Sequence, residues 1–176
     1  MNVAHEVRLD NLLWDGKRSA EALRMLPRVS AGWQALAQAR MALRADKQGA
    51  SALIETVPAA LKDDPGLAYE RFLWRMRRDN YPDSVALLLD RSDSAARLGR
   101  PEAWADRRAL LARWLMRNGK AKDAYRLAAG HHLTQGEGFV DLEFLAGFVA
   151  LRKLNDPDTA LRHFSALKSA VQTPQT

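Results

Sequence analysis

The sequence has no cysteine. This excludes a disulfide-stapled scaffold and any zinc or redox site built on thiolates. Long apolar runs are also missing. The most apolar uncharged window is Phe144 to Leu151, closed by Arg152-Lys153, whereas a membrane-spanning helix needs about 20 residues. The first residues, MNVAHEVRLDNLLW, carry Glu6, Arg8 and Asp10, so no continuous apolar core of the signal-peptide kind is visible there. No window alternates apolar and polar residues with the β-rich composition of a strand. The net charge of +6 favours an acidic partner, but the basic residues are interspersed with acids and form no run of five. A basic balance without a motif assigns no nucleic-acid partner. Arginine supplies 20 of the 27 basic residues, a bias that a GC-rich genome also produces.

What the chain has in abundance is alanine and leucine, 30 and 26 residues, at helical spacing. Leu9, Leu12 and Leu13 follow an i, i+3, i+4 pattern, as do Trp33, Leu36, Ala37 and Leu43. Breaks fall at Gly16, Pro27, Gly49, Pro65, Pro82, Gly99-Arg100-Pro101, Gly119, Gly130 and Pro157. Ten helices of roughly 10–18 residues fit between them. Asp64-Pro65 and Asp156-Pro157 read as helix starts with Pro in the first turn, and Asn118-Gly119 reads as a helix end. A small-then-large pair opens the second helix of each of five hairpins: Ala22-Leu23, Ala52-Leu53, Ala86-Leu87, Ala124-Tyr125 and Ala160-Leu161. The alanine permits close approach and the larger neighbour is expected to fill the space beside it. Polar turns WDGKRS, RRDNYPDS, RNGKAKD and LNDPDT precede several of them. Recurrence near 34 residues is the period of helix-turn-helix arrays of tetratricopeptide type. The expectation is an all-α superhelical solenoid of about five antiparallel hairpins, one segment over residues 1–176.

Chemistry-bearing motifs are sparse. Neither a G-x-S-x-G elbow nor a phosphate-cradling glycine loop occurs, and no cofactor is implied. His131-His132, with Glu137 and Asp141 nearby, reads as a hydrogen-bonded pair at an interhelical turn in preference to a metal site. Asp141 and Glu143, two residues apart, fall on roughly opposite sides of a helix. One is expected to pair with arginine while the other faces solvent. The most suggestive stripe is Arg71, Arg75 and Arg78, with Arg77 beside it, and Arg113 with Arg117 repeats the spacing on a later helix. Such stripes are either a solvated outer face or an anion-facing inner lining. Trp33, Trp74 and Trp104 are either core residues or platforms for sugars or bases.

One stretch is more distinctive. Asp141 to Phe164, DLEFLAGFVALRKLNDPDTALRHF, resembles the superhelical region of the soluble lytic murein transglycosylases. DDPGLAYERFLWRMRR and GRPEAWADRRALLARWLMRNGKAKDAYRLA resemble the same region. The resemblance implies a periplasmic parent enzyme that cleaves peptidoglycan to 1,6-anhydro-muramoyl ends. In that family the catalytic Glu lies in a Glu-Ser dipeptide of a separate lysozyme-like C-terminal domain. None of the seven Glu residues here precedes Ser, so no catalytic residue carries over. The expectation is a non-catalytic fragment that serves the glycan strand as a scaffold beside its missing C-terminal catalytic domain. Arg71, Arg75, Arg78, Arg113, Arg117, Trp74 and Trp104 are its candidate contacts. A stand-alone helical-repeat module that binds another protein is the alternative.

Overall fold

The computed structural model of the chain describes residues 3–172, so both ends of the expected 1–176 segment lie outside the described residues. Among the described residues the structure is all-helical, without strands. The α-helices are α1 (Val3–Asp15), α2 (Ser19–Met25), α3 (Ala31–Arg44), α4 (Ala50–Glu55), α5 (Pro65–Met76), α6 (Tyr81–Arg91), α7 (Ala95–Leu98), α8 (Pro101–Arg117), α9 (Ala121–Ala129), α10 (Glu137–Lys153) and α11 (Pro157–Gln172). Several are shorter than the expected ten residues. Pro27 turns the end of α2 into a 3-10 turn over Leu26–Arg28, and Pro58 precedes another at Ala59–Leu61. The small helix α7 is additional to the ten expected. Among the described residues no helix is long and apolar enough to cross a membrane.

The chain divides into two compact units, 1–80 and 81–176. In the first, α1 packs on α2 and α3, and α3 packs on α4 and α5. Leu9, Leu12, Leu13, Ala22 and Ala37 form one apolar cluster, and Leu36, Leu43, Val57 and Leu67 lie in another. In the second, α8 packs on α9 and α10, and α10 packs on α9 and α11. Neighbouring helices thus pack as expected from the apolar spacing. The predicted starts are present: Asp64 accepts from the Leu67 N–H at 2.7 Å and Asp156 from the Thr159 N–H at 3.0 Å. Each satisfies a backbone donor that the first helical turn leaves unpaired.

The clearest periodic feature is conformational. Helices α1, α3, α5, α8 and α10 are each followed by a residue with positive φ: Gly16, Asp46, Asp79, Gly119 and Asn155. This left-handed residue lets the chain reverse while the last carbonyls find donors. The Lys47, Asn80 and Lys120 N–H groups bond back to Ala42, Arg75 and Leu115. Two residues before the left-handed position stand Arg44, Arg77, Arg117 and Lys153, whereas the first helix has Trp14 there. In the first unit these arginines tie helix to helix. Arg44 donates to the Leu13 carbonyl at 2.5 Å, and Arg77 donates to the Leu43 carbonyl at 2.6 Å. Both acceptors lie three residues before a left-handed residue, so the two bonds are equivalent. Each places a cation at the negative end of the preceding helix.

The small-then-large pairs follow their expected packing only in part. Ala22, Ala124 and Ala160 are buried, but Ala52 and Ala86 are exposed, and Ala50 and Ser84 take the buried place. Leu23 and Leu161 point largely to solvent. The larger residue therefore does not fill the hairpin core in those two cases.

Candidate functional site

Three of the candidate residues meet on α5. Its start is fixed by Asp64 and Pro65. Leu67 and Phe72 are buried on one face, which leaves Arg71, Trp74 and Arg75 along the rim. Together with Leu43, Ile54 and Glu55 they line a cleft of about 210 Å³ between α3, α4 and α5. The Trp74 ring packs partly against the Leu36–Leu67 cluster. Arg78 turns away from the cleft. Its guanidinium lies 3.9 Å from the Trp74 ring centroid, and it donates to Asp46 at 2.7 Å. Asp46 is held below the ordinary carboxylate range by that bond, with the Trp74 indole N–H adding to it. The expected stripe therefore separates. Arg71 and Arg75 border the cleft, Arg78 clamps the tryptophan, and Arg77 ends α3.

Beside this surface lie two partly buried ion pairs. Arg40, on α3, donates to Asp10 at 2.6 Å and lies 3.5 Å from Asp64. Arg44 pairs with Glu70, which has no exposed surface. Burial pushes the Glu70 carboxyl upward, and Arg44 opposes the shift.

The candidates of the second unit are not assembled into a comparable cleft. Arg113 is paired with Asp141, as anticipated for one of the two acids. Arg117 is exposed and holds the repeated basic position at the end of α8. Trp104 is completely buried, and its indole donates to the Leu98 carbonyl at 3.0 Å. A ring without an exposed face cannot stack on a sugar, so Trp104 is a core residue and leaves the set of contacts. Glu143 does not face solvent. It is buried and bridges two histidines, accepting from His131 Nε2 at 2.8 Å and from His163 Nδ1 at 2.7 Å. His163 Nε2 meets the Tyr125 hydroxyl at 3.2 Å. The Leu133 N–H donates to His131 Nδ1 at 2.9 Å, which leaves the proton on Nε2. Burial holds His131 below the usual histidine range against the pull of Glu143. His132, at positive φ, bonds the Ser92 carbonyl instead.

This chain of four side chains joins α9, α10, α11 and the 130–136 connection, and its partners are 12 to 38 residues apart. No single-helix spacing marks it. The adjacent histidines were a signal, but Glu143, which is not one of the acids noted beside them, is the partner. Arg108 is also fully buried, and its Nη1 donates to the Leu127 carbonyl at 2.7 Å and to Ser92 at 3.0 Å. Burial alone lowers its pKa to about 10.

Among the described residues no group of three His, Asp or Glu side chains is placed to hold a metal ion. The α5 cleft offers a tryptophan edge, two guanidinium groups and a carboxylate. Such a set can pack edge-on against a ring and donate hydrogen bonds to oxygens. Comparison of the chain with protein-family models, with curated proteins and with solved structures finds no match.

Proposed function

We propose that this chain is a non-catalytic helical-array scaffold of the lytic transglycosylase type, which binds a peptidoglycan glycan strand through the α5 cleft. The observation that carries the reading is the convergence of Arg71, Trp74 and Arg75 on one groove. An amphipathic aromatic edge flanked by planar donors suits a sugar that bears carboxylates and peptide carbonyls. The hairpins with their repeated left-handed ends support stacking into a solenoid, whose stability comes from neighbour-to-neighbour packing. The resemblance of Asp141 to Phe164 supplies the family, the periplasmic setting and the catalytic domain elsewhere in the parent protein.

The test is titration of the chain with soluble peptidoglycan fragments at low salt, followed by tryptophan fluorescence. Saturable binding is expected, weakened about tenfold or more by Trp74→Ala and by Arg71→Ala with Arg75→Ala, and weakened by added salt. Binding that is unchanged by these substitutions would remove the cleft from the proposal. Release of anhydro-muropeptides by the chain alone would refute its non-catalytic character.

A further inference from the structure

Helix α10 leaves an apolar stripe uncovered. Val140, Phe144, Phe148 and Leu151 are 45, 54, 36 and 41% exposed, and steps of 100° per residue place them within an arc of about 80°. The Phe144 and Phe148 rings stack with centroids 6.4 Å apart, and Phe144 also meets Phe164 of α11 at 6.2 Å. Gly147 brings α11 close on that side, since a Cβ there would lie 2.6 Å from the Phe164 ring. The rest of α10 is covered by α8, α9 and α11. The uncovered stripe therefore has the form of a helix seat. It presents roughly 300 Å² of apolar surface, within the range of the largest and often functional patch on a monomer.

The charges beside the stripe select the occupant. Glu137 and Asp141 stand in its N-terminal half, and Arg152 stands at its C-terminal end. Asp141 and Arg152 lie within about 20° of each other on one flank, because eleven residues complete almost three turns. A two-fold axis perpendicular to α10, level with residue 146, sets Phe144 opposite Phe148 of a second copy. It also brings Arg152 of each copy, about 9 Å from the axis, beside the opposing Asp141 at about 7.5 Å and Glu137 at about 13.5 Å. The same operation keeps both groups on the same flank. A parallel pairing would set like charges at the same height. With Arg113 already on Asp141, each end of the pair holds two acids and two arginines. We infer that α10 is a self-association surface that pairs antiparallel with α10 of a second copy of this chain. The two stripes bury about 600 Å² of apolar area, below the ~1,200 Å² of a durable complex. The dimer is accordingly weak and concentration-dependent.

Sedimentation velocity on the 176-residue chain, from micromolar to sub-millimolar concentration, tests this. A monomer–dimer equilibrium is expected. Phe144→Glu should raise the dissociation constant at least about tenfold with unchanged helicity. Arg152→Glu alone should weaken the dimer, and adding Glu137→Arg should restore it. These two residues are exposed, so the charge exchange does not depend on the core. Because the chain has no cysteine, the register can be trapped directly. Upon oxidation a Phe144→Cys chain should cross-link to a Phe148→Cys chain faster than either cross-links to itself. A monomer at all concentrations, a dimer that survives Phe144→Glu, equal cross-linking yields or growth beyond the dimer would each overturn the inference.

Discussion

Replacing Gly66 by alanine sets two opposite effects against each other, and the structure decides between them. Gly66 lies in the first turn of α5, where alanine is the better helix former by about 1 kcal/mol. However, a Cβ at this position would lie 2.1 to 2.4 Å from the Arg40 guanidinium carbon and its two terminal nitrogens. Ordinary contacts between heavy atoms are about 3.5 Å, so the guanidinium must move by more than 1 Å. Arg40 is 1% exposed, rests 5.3 Å from the Trp14 ring centroid and holds Asp10 and Asp64. Breaking a fully buried ion pair costs about 3–5 kcal/mol. Asp10 is one-third exposed, which brings the cost to about 3 kcal/mol, and the helix gain reduces the net loss to about 2 kcal/mol. With a urea slope of roughly 1–2 kcal/mol per molar, the midpoint should fall by about 1 M or more. The decisive control is the same substitution in an Arg40→Ala background. The clash is then gone, and Gly66→Ala should stabilise by a few tenths to about 1 kcal/mol. Equal or greater stability of Gly66→Ala with Arg40 present would refute the close approach.

Other side chains carry further expectations. Trp104→Ala should destabilise by about 3–5 kcal/mol in urea titrations, far more than Trp74→Ala, whose ring is only partly buried; equal costs would contradict the core placement of Trp104. Because burial keeps His131 below the histidine value of 6.5, the unfolded chain binds its proton first. Its share of stability is complete above that value and declines as the pH falls through it toward the folded pKa. His131→Gln, which still offers a donor to Glu143, should flatten the decline of the urea midpoint on acidification, and an unchanged slope would contradict this. Asp156 is held below the ordinary aspartate value chiefly by the Thr159 N–H. Its contribution is present above that value and is lost as pH falls through the lowered folded pKa, and Asp156→Asn should remove this acid limb. Arg108 has no carboxylate partner among the described residues, so Arg108→Met should leave stability within about 1 kcal/mol or raise it. A loss above about 3 kcal/mol would show that its bonds to Leu127 and Ser92 outweigh its desolvation.

The helices were legible because their signals are local. Leu9, Leu12 and Leu13 share a face at helical spacing, and Asp64-Pro65 and Asp156-Pro157 can be read as caps without tertiary knowledge. The small-then-large pairs were a poorer guide to packing. Alanine at 52 and 86 is exposed because burial there falls two residues earlier, on Ala50 and Ser84. The conformational marker was half hidden: Gly16 and Gly119 announce themselves, whereas Asp46, Asp79 and Asn155 reach positive φ without being glycine. Of the arginine stripe, helical spacing gave the shared face but not the fate of each side chain. Arg78 is drawn back by Asp46, which lies 32 residues earlier. The bridge from His131 through Glu143 to His163 needed three elements to be assembled, and no single stretch contains it.

The ties of Arg44 to Leu13 and of Arg77 to Leu43 have a modular consequence. In each, the later helix supplies the donor and the earlier one the acceptor. Helix α3 carries both halves, and Trp14 stands after α1's Leu13 where Arg44 and Arg77 stand in the later helices. The two ties share no group, so one can be cut without the other: replacing Arg77 removes the bond of α5 to α3 and leaves that of α3 to α1 in place.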